Sequence, residues 1–282
     1  MSFSSEWLAL REPVDHRSRN AALAEKVAAH FAGRSLMRIV DLGCGTGSNL
    51  RASYALYGAR QEWLLVDHDP ALLIAARERL EQWAERSRPG DGMIQIVKDG
   101  RDITVRFAQA DLARDVDKVL AGKPDLVTAS ALFDLVSAAW AEKLATGMKA
   151  AGAAFYTVLT YNGVDAFVPP HPLDSVVVAA FAAHQQQDKG FGVASGPDGA
   201  AMLKRVFAGA GFAVAEADSP WTLTMPDAAL GIQLLQGIAQ AVGETGRLSE
   251  TELGTWLTHR LMRVQHPEGR MVTGHTDTFA VP

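Results

Sequence analysis

An open, doubly wound α/β sheet of mostly parallel strands is the fold this sequence predicts, and three observations predict it. Between 36 and 160, short β-branched stretches alternate with stretches of helical period, the pattern of βαβ units joined by right-handed crossovers. In IVDLGCGTGSNL, glycine stands at every second residue, at Gly43, Gly45 and Gly47, directly behind an apolar strand. The chain has 282 residues of which 48% are apolar, enough to fill a continuous core. A single domain over 1–282 is expected.

The elements follow in order. From 20 to 32, Leu23, Val27 and Phe31 recur every fourth residue and predict an amphipathic helix that Gly33 closes. LMRIVDL (36–42) is the first strand. After the glycines a helix over 49–57 stops at Gly58. EWLLVD (62–67) is the second strand; Asp69 caps the next helix, Pro70 suits its first turn, and Leu73, Ala76, Leu80 and Trp83 form its buried stripe. The stretch 93–108 predicts a hairpin inserted in the mostly parallel sheet, with Ile94 and Ile96 alternating before a KDGRD turn and Ile103, Val105 and Phe107 after it. A strand at 125–129, a helix at 137–150 and a strand at 153–160 complete the alternation.

Beyond 160 the pattern changes. A Pro-rich loop (165–172), a helix (173–187), a second loop (189–199), a helix (200–210) and a strand (212–217) come first. Two helices at 227–242 and 249–264 follow, the second opened by Ser249 and Glu252 at capping-box spacing, and a strand at 276–281 ends the chain. Residues 1–20 are expected to form a capping segment, and 226–266 a helical insertion contributing to a substrate pocket or lid.

Composition narrows the partners. The net charge is -5 with a pI near 5.9, and no run of Lys and Arg tracks a phosphate backbone, which disfavours nucleic acid. Cys44 is the single cysteine, so no intrachain disulfide and no multi-cysteine metal site is expected, and a reducing cytoplasm fits. No stretch approaches the ~18 apolar residues of a membrane span, and the start has no basic, apolar leader pattern.

A strand that turns tightly into a helix presents backbone N–H groups at the helix start, and glycine lets a ligand approach them. A plain glycine-rich turn is the reading without a ligand. With one, the choice lies between a dinucleotide and an adenosyl cofactor without a pyrophosphate. The dinucleotide fingerprint is GxGxxG, whereas this chain reads DxGxGxG, with Asp41 two residues before Gly43. That motif resembles motif I of the class I S-adenosylmethionine-dependent methyltransferases.

The resemblance implies a Rossmann-like, doubly wound, seven-stranded sheet with an antiparallel last strand. It also implies a loop of Gly43, Cys44, Gly45 and Gly47 passing under the methionine part of the cofactor, supported by Asp41. An acid at the end of the second strand holds the ribose hydroxyls in the family. VDHDP places Asp67 there, 24 residues after Gly43, with His68 beside it. FAQADL offers Asp111 and Leu112 at the adenine, and TASALFD puts Ser130 beside the transferring methyl. Asp67 also suits a helix start and Asp111 a cap. Arg17 and Arg19 are candidates for the cofactor's carboxylate, against a solvated charge run.

The resemblance implies S-adenosyl-L-methionine as cofactor, S-adenosyl-L-homocysteine as product, a small-molecule methyl acceptor and no metal. A homodimer is compatible with it. The main task is alignment for in-line displacement. Where a proton must leave the acceptor, Asp134, Tyr161, His171 and His184 are candidate bases, each with a structural role as the alternative. Cys44, inside the glycine loop, is badly placed to attack a pyrimidine. Phe133, Phe167, Phe191 and Trp221 are candidates for an acceptor wall or for plain core. The remaining readings are an RNA methyltransferase, a cofactor-binding protein without turnover, and, least favoured, a dehydrogenase.

Overall fold

A ten-stranded sheet organises the chain in the computed structural model, which describes residues 3–282. Its centre is β1 (Met37–Leu42), a strand of mostly buried residues. β1 pairs in parallel with β2 (Arg60–Asp67) on one side and with β6 (Leu126–Ser130) on the other. Strand order reverses there, and ligands of open α/β sheets bind outside the carboxyl ends of strands at such a point. Outward from β2 lie β5 (Arg101–Gln109), β4 (Met93–Lys98) and β3 (Arg86–Gly90). Outward from β6 lie β7 (Ala154–Val168), β10 (Arg270–Val281) and β8 (Ala213–Asp218), with the short β9 (Trp221–Leu223) also on β10. β10 runs antiparallel to β7, β8 and β9.

The helices begin where the sequence supplies caps. Ser4 Oγ accepts from Trp7 N to open α1 (Ser5–Ser18), and Asn20 Oδ1 accepts from Leu23 N to open α2 (Ala21–His30). α3 (Ser48–Ser53) follows Gly47 directly and tightens into a 3₁₀ turn at Tyr54–Leu56. Asp69 caps α4 (Pro70–Trp83), Asp111 caps α5 (Leu112–Leu120) and Ser137 caps α6 (Ala138–Ala151). α7 (Asp174–Gln185), α8 (Gly199–Gly209), α9 (Ala228–Thr245) and α10 (Glu250–Val264) complete the set, α10 behind the Ser249 and Glu252 capping box.

Two cores flank the sheet. Leu23, Val27, Leu73, Leu80, Val177, Leu235 and Trp256 join one, and Val116, Leu144, Met148, Leu203 and Phe207 join the other. Apolar burial of this kind is the main stabilising contribution, at roughly 25 cal/mol per Å².

Three expectations are corrected, and the capping segment gains a helix. Seven strands in the order β5-β2-β1-β6-β7-β10-β8 form the expected sheet, and β3, β4 and β9 bring the count to ten. The hairpin is real, but its return strand is itself a main strand, β5, paired in parallel with β2. Residues 165–168 continue β7 and are not a loop, since Asp165 to Val168 pair with Thr273 to Arg270. Residues 5–18 are helical although Pro13 lies inside the helix and only Val14 and Asp15 are buried.

Candidate functional site

The carboxyl ends of β1, β2, β5 and β6 open on a cleft of about 450 Å³. The glycine loop borders it with Gly43, Cys44, Gly45 and Thr46, as do Ser130 at the end of β6 and Ala131 and Leu132 beyond it. Asp67, His68, Ala110, Asp111 and Leu112 line it at the ends of β2 and β5. Leu8, Arg11 and Asp15 of α1 and the 189–191 loop also border it.

The loop is built to be approached. Gly45 has φ +53°, a left-handed conformation, and a Cβ there would meet Leu8 Cδ1 at 3.0 Å. Its N–H donates to Asp67 Oδ2 at 2.9 Å, so the acid at the end of β2 braces the loop after β1. Asp67 Oδ1 accepts from Asp69 N at 3.0 Å, and His68 Nδ1 lies 3.3 Å from the same oxygen. Asp67 is 5% exposed and borders the cleft, with lone pairs remaining for a ligand's hydroxyls. Asp111 Oδ1 accepts from Ala113 N, capping α5, and the residue also borders the cleft. Leu112 lies below it, its carbonyl accepting from Trp140 Nε1 at 2.8 Å.

Not every candidate faces the cleft. Asp41 is fully buried beneath the loop, where its Oδ1 accepts from Asn49 Nδ2 at 2.7 Å. Burial pushes its carboxyl up to about 7. Gly47 caps α3 and donates to the Cys44 carbonyl. Burial, with Asp41 and Asp67 nearby, drives the Cys44 thiol well above its ordinary value, so it stays a protonated thiol. Arg17 turns away to Asp227 at 2.7 Å. Arg19 donates to Asn49 Oδ1 and Ser53 Oγ, both at 2.9 Å, behind the loop. The arginine of this region that borders the cleft is Arg11.

Among the candidate bases, Asp134 sits between Phe133 and Leu135, just behind the wall, in electrostatic reach of Arg11, and burial pushes its carboxyl up to about 6. Tyr161 donates to Asp165 at 2.6 Å, and burial with that carboxylate raises its hydroxyl. His171 lies away from the cleft, its ring 4.9 Å from His259 of α10, and His184 pairs with Glu244 at 2.9 Å. Of the aromatic candidates Phe191 borders the cleft; Phe133, Phe167 and Trp221 belong to the cores. No residue of 226–266 borders it either: α9 packs on α7 and α10, because their apolar faces complete a core over β10.

Three of the residues that sequence reasoning missed come from α1. Leu8, Arg11 and Asp15 share a face at i, i+3 and i+7, a signal visible in the sequence but masked by the helix's low apolar content. Thr46, Asn49, Leu72 and Lys189 also border the cleft.

No protein-family model matches the chain, and no curated protein matches it in sequence. Solved structures do match in shape. The cyclopropane synthase MmaA2 from Mycobacterium tuberculosis aligns over 99% of this chain and 94% of its own, with a TM-score of 0.50 and 13% identity. The chain has the class I methyltransferase fold. The YcgJ protein from Bacillus subtilis aligns over 93% of this chain and 99% of its own, with a TM-score of 0.50 and 12% identity. At these identities the likeness is one of fold. Within the methyltransferase fold, the cleft occupies the strand-order reversal beside β1. Among the described residues, no group of His, Cys, Asp and Glu is placed to hold a metal, and no helix is long and apolar enough to cross a membrane.

Proposed function

We propose that the chain is an S-adenosylmethionine-dependent methyltransferase that passes a methyl group to a small-molecule acceptor by in-line displacement and releases S-adenosylhomocysteine. The observation that carries this is the bond from Gly45 N–H to Asp67 Oδ2, which ties a side-chain-free loop to a carboxylate with free lone pairs in one cleft. The residues fit the cofactor. Thr46 Oγ1 is buried with no partner in the loop, and Gly43, Gly45 and Asp67 line the same cleft. A cleft of about 450 Å³ falls in the ~300–1,000 Å³ range of small-molecule pockets.

On this reading Asp67 takes the ribose hydroxyls, and Leu72, Asp111 and Leu112 surround the adenine. The cofactor supplies an electrophilic methyl already activated by its sulfonium. The chain's contribution is positioning, worth roughly 7–11 kcal/mol when reacting atoms are held in line. Asp134 is the base we assign where the acceptor must lose a proton; its neighbour Leu135 lines the cleft, and that wall must move for the carboxylate to reach the acceptor. A net charge of -5 and a cleft of small-molecule size favour a small molecule over RNA. The single buried Cys44 suits a cytoplasmic setting.

A labelled-methyl assay against a panel of small metabolites tests the reading. The expected result is transfer to at least one of them, lost in Asp67→Ala; transfer that survives Asp67→Ala undiminished overturns the assignment.

A further inference from the structure

The cleft holds a charge pair that recognition of ribose and adenine leaves unused, and a role for that pair rests on the cofactor reading of the same cleft. Leu8, Arg11 and Asp15 line one face of α1, and that face lies along the glycine loop. Three contacts fix it there. Leu8 covers Gly45; Glu12 is bonded by Arg51, which donates to the Thr46 carbonyl at 2.8 Å; and His16 Nε2 is 2.9 Å from Ser48 Oγ. The α1 pair thus borders the same cleft as Asp67 and Asp111.

The pair is fixed but not saturated. Arg11 donates from Nε to Asp15 Oδ2 at 2.8 Å and from Nη2 to Asp15 Oδ1 at 3.2 Å. Its Nη1 has no hydrogen-bond partner among the described residues, and Asp15 Oδ2 keeps a lone pair. Trp221 holds both from behind: its Nε1 donates to Asp15 Oδ1 at 3.0 Å, and the guanidinium lies 4.9 Å over its ring. Asp134 and His275 are further titratable groups in electrostatic reach of Arg11. An isolated anion here would face Asp15, and an isolated cation would face Arg11. A ligand end carrying both charges on adjacent atoms satisfies both side chains at once.

We propose that Arg11 and Asp15 grip the α-amino-acid zwitterion of the cofactor, the carboxylate on Arg11 and the ammonium on Asp15, with Trp221 as a positioning residue. α1 is then closed over the site by the cofactor's own amino-acid end.

Two ligands separate this from a structural role. S-adenosylhomocysteine carries the zwitterion; 5′-methylthioadenosine has the same thioether nucleoside without it. In calorimetric titrations, Arg11→Met and Asp15→Asn should weaken S-adenosylhomocysteine about tenfold or more while changing 5′-methylthioadenosine less than about threefold. Trp221→Phe, which keeps a ring but removes the N–H, should show the same split at smaller size. Retained 5′-methylthioadenosine affinity also certifies that each variant is folded. Should Arg11→Met fail that check, Arg11→Lys, which keeps the charge and loses the fork, should show an intermediate split. Unchanged S-adenosylhomocysteine affinity in the folded variants, or equal weakening of both ligands, overturns the proposal. If the wild type binds neither ligand, it is the cofactor reading itself that fails.

Discussion

At Gly45 the backbone takes a left-handed conformation, φ +53°, that side chains rarely adopt. A branched side chain there would both occupy φ +53° and collide with Leu8 at 3.0 Å. Gly45→Val should therefore abolish S-adenosylhomocysteine binding and cost the fold about 1–3 kcal/mol, read by calorimetry and by urea unfolding. Asp67→Ala removes the acceptor for Gly45 N–H and Asp69 N–H as well as the group assigned to the ribose. Its expected effect is at least a tenfold weaker Kd for S-adenosylhomocysteine, with the melting curve still cooperative. These two residues were legible because their function requires a fixed spacing along the chain: a glycine behind one strand and an acid at the end of the next. Asp41 was legible as part of the motif, yet its place beneath the loop was not. That place depends on Asn49 of α3, whose Nδ2 donates both to Asp41 and to Thr128 of β6. Arg17 and Arg19 show the same limit. Sequence supplied the cations near the start of α2, but which of them faces the cleft is set by the rotation of α1, and that rotation puts Arg11 inward.

The elements differ in what holds them. α1 has few buried apolar side chains and is fixed by polar contacts, above all the bidentate pair from Arg51 to Glu12 at 2.8 and 2.7 Å. The Arg51 side chain is only 7% exposed, so Glu12→Ala leaves a nearly buried guanidinium short of its partner. That change should cost about 2 kcal/mol and speed release of S-adenosylhomocysteine, measurable by stopped flow. The α9–α10 pair is held by the opposite means, a core that includes Trp256, with Arg260 donating to Asp174 and to the Pro169 carbonyl. Asp174→Ala should destabilise by roughly 3–5 kcal/mol, because the Arg260 side chain is 2% exposed and would be unpaired. Affinity for S-adenosylhomocysteine should be unchanged in the folded fraction, since this pair does not border the cleft. Element existence was largely readable, because caps such as Asp69 and Ser137 and the alternation of Ile94, Ile96, Ile103 and Val105 are local signals. β3 was not, because all five of its residues are exposed and no alternation marks them. The second half of β7 was not either, because its pairing with β10 bridges a hundred residues of sequence.

At the scale of the whole molecule, the site is where three separately encoded parts meet: the strand-order reversal at β1, the cap contributed by α1, and the polar side chains buried beneath both. Burial is the main cause that raises Asp41 from 3.8 to about 7, so the folded chain holds a proton there that the unfolded chain releases. Stability from this group is therefore full below about pH 4 and is lost as pH rises to about 7. Other buried groups titrate nearby, among them Asp134 and Asp165 raised to about 6 and His275 lowered to about 3, so a difference isolates Asp41. Asp41→Asn should gain stability relative to the wild type by up to about 1.4 kcal/mol per pH unit between pH 4 and 7, and then level off. Denaturant unfolding of both proteins across that range would show a flat difference if Asp41 were solvated.

Titration of the wild-type chain with S-adenosylhomocysteine by calorimetry measures the central claim without needing an acceptor. Saturable one-to-one binding is expected, with a matching rise in melting temperature. No saturable uptake, or stabilisation by NAD in place of the adenosyl ligand, would contradict it.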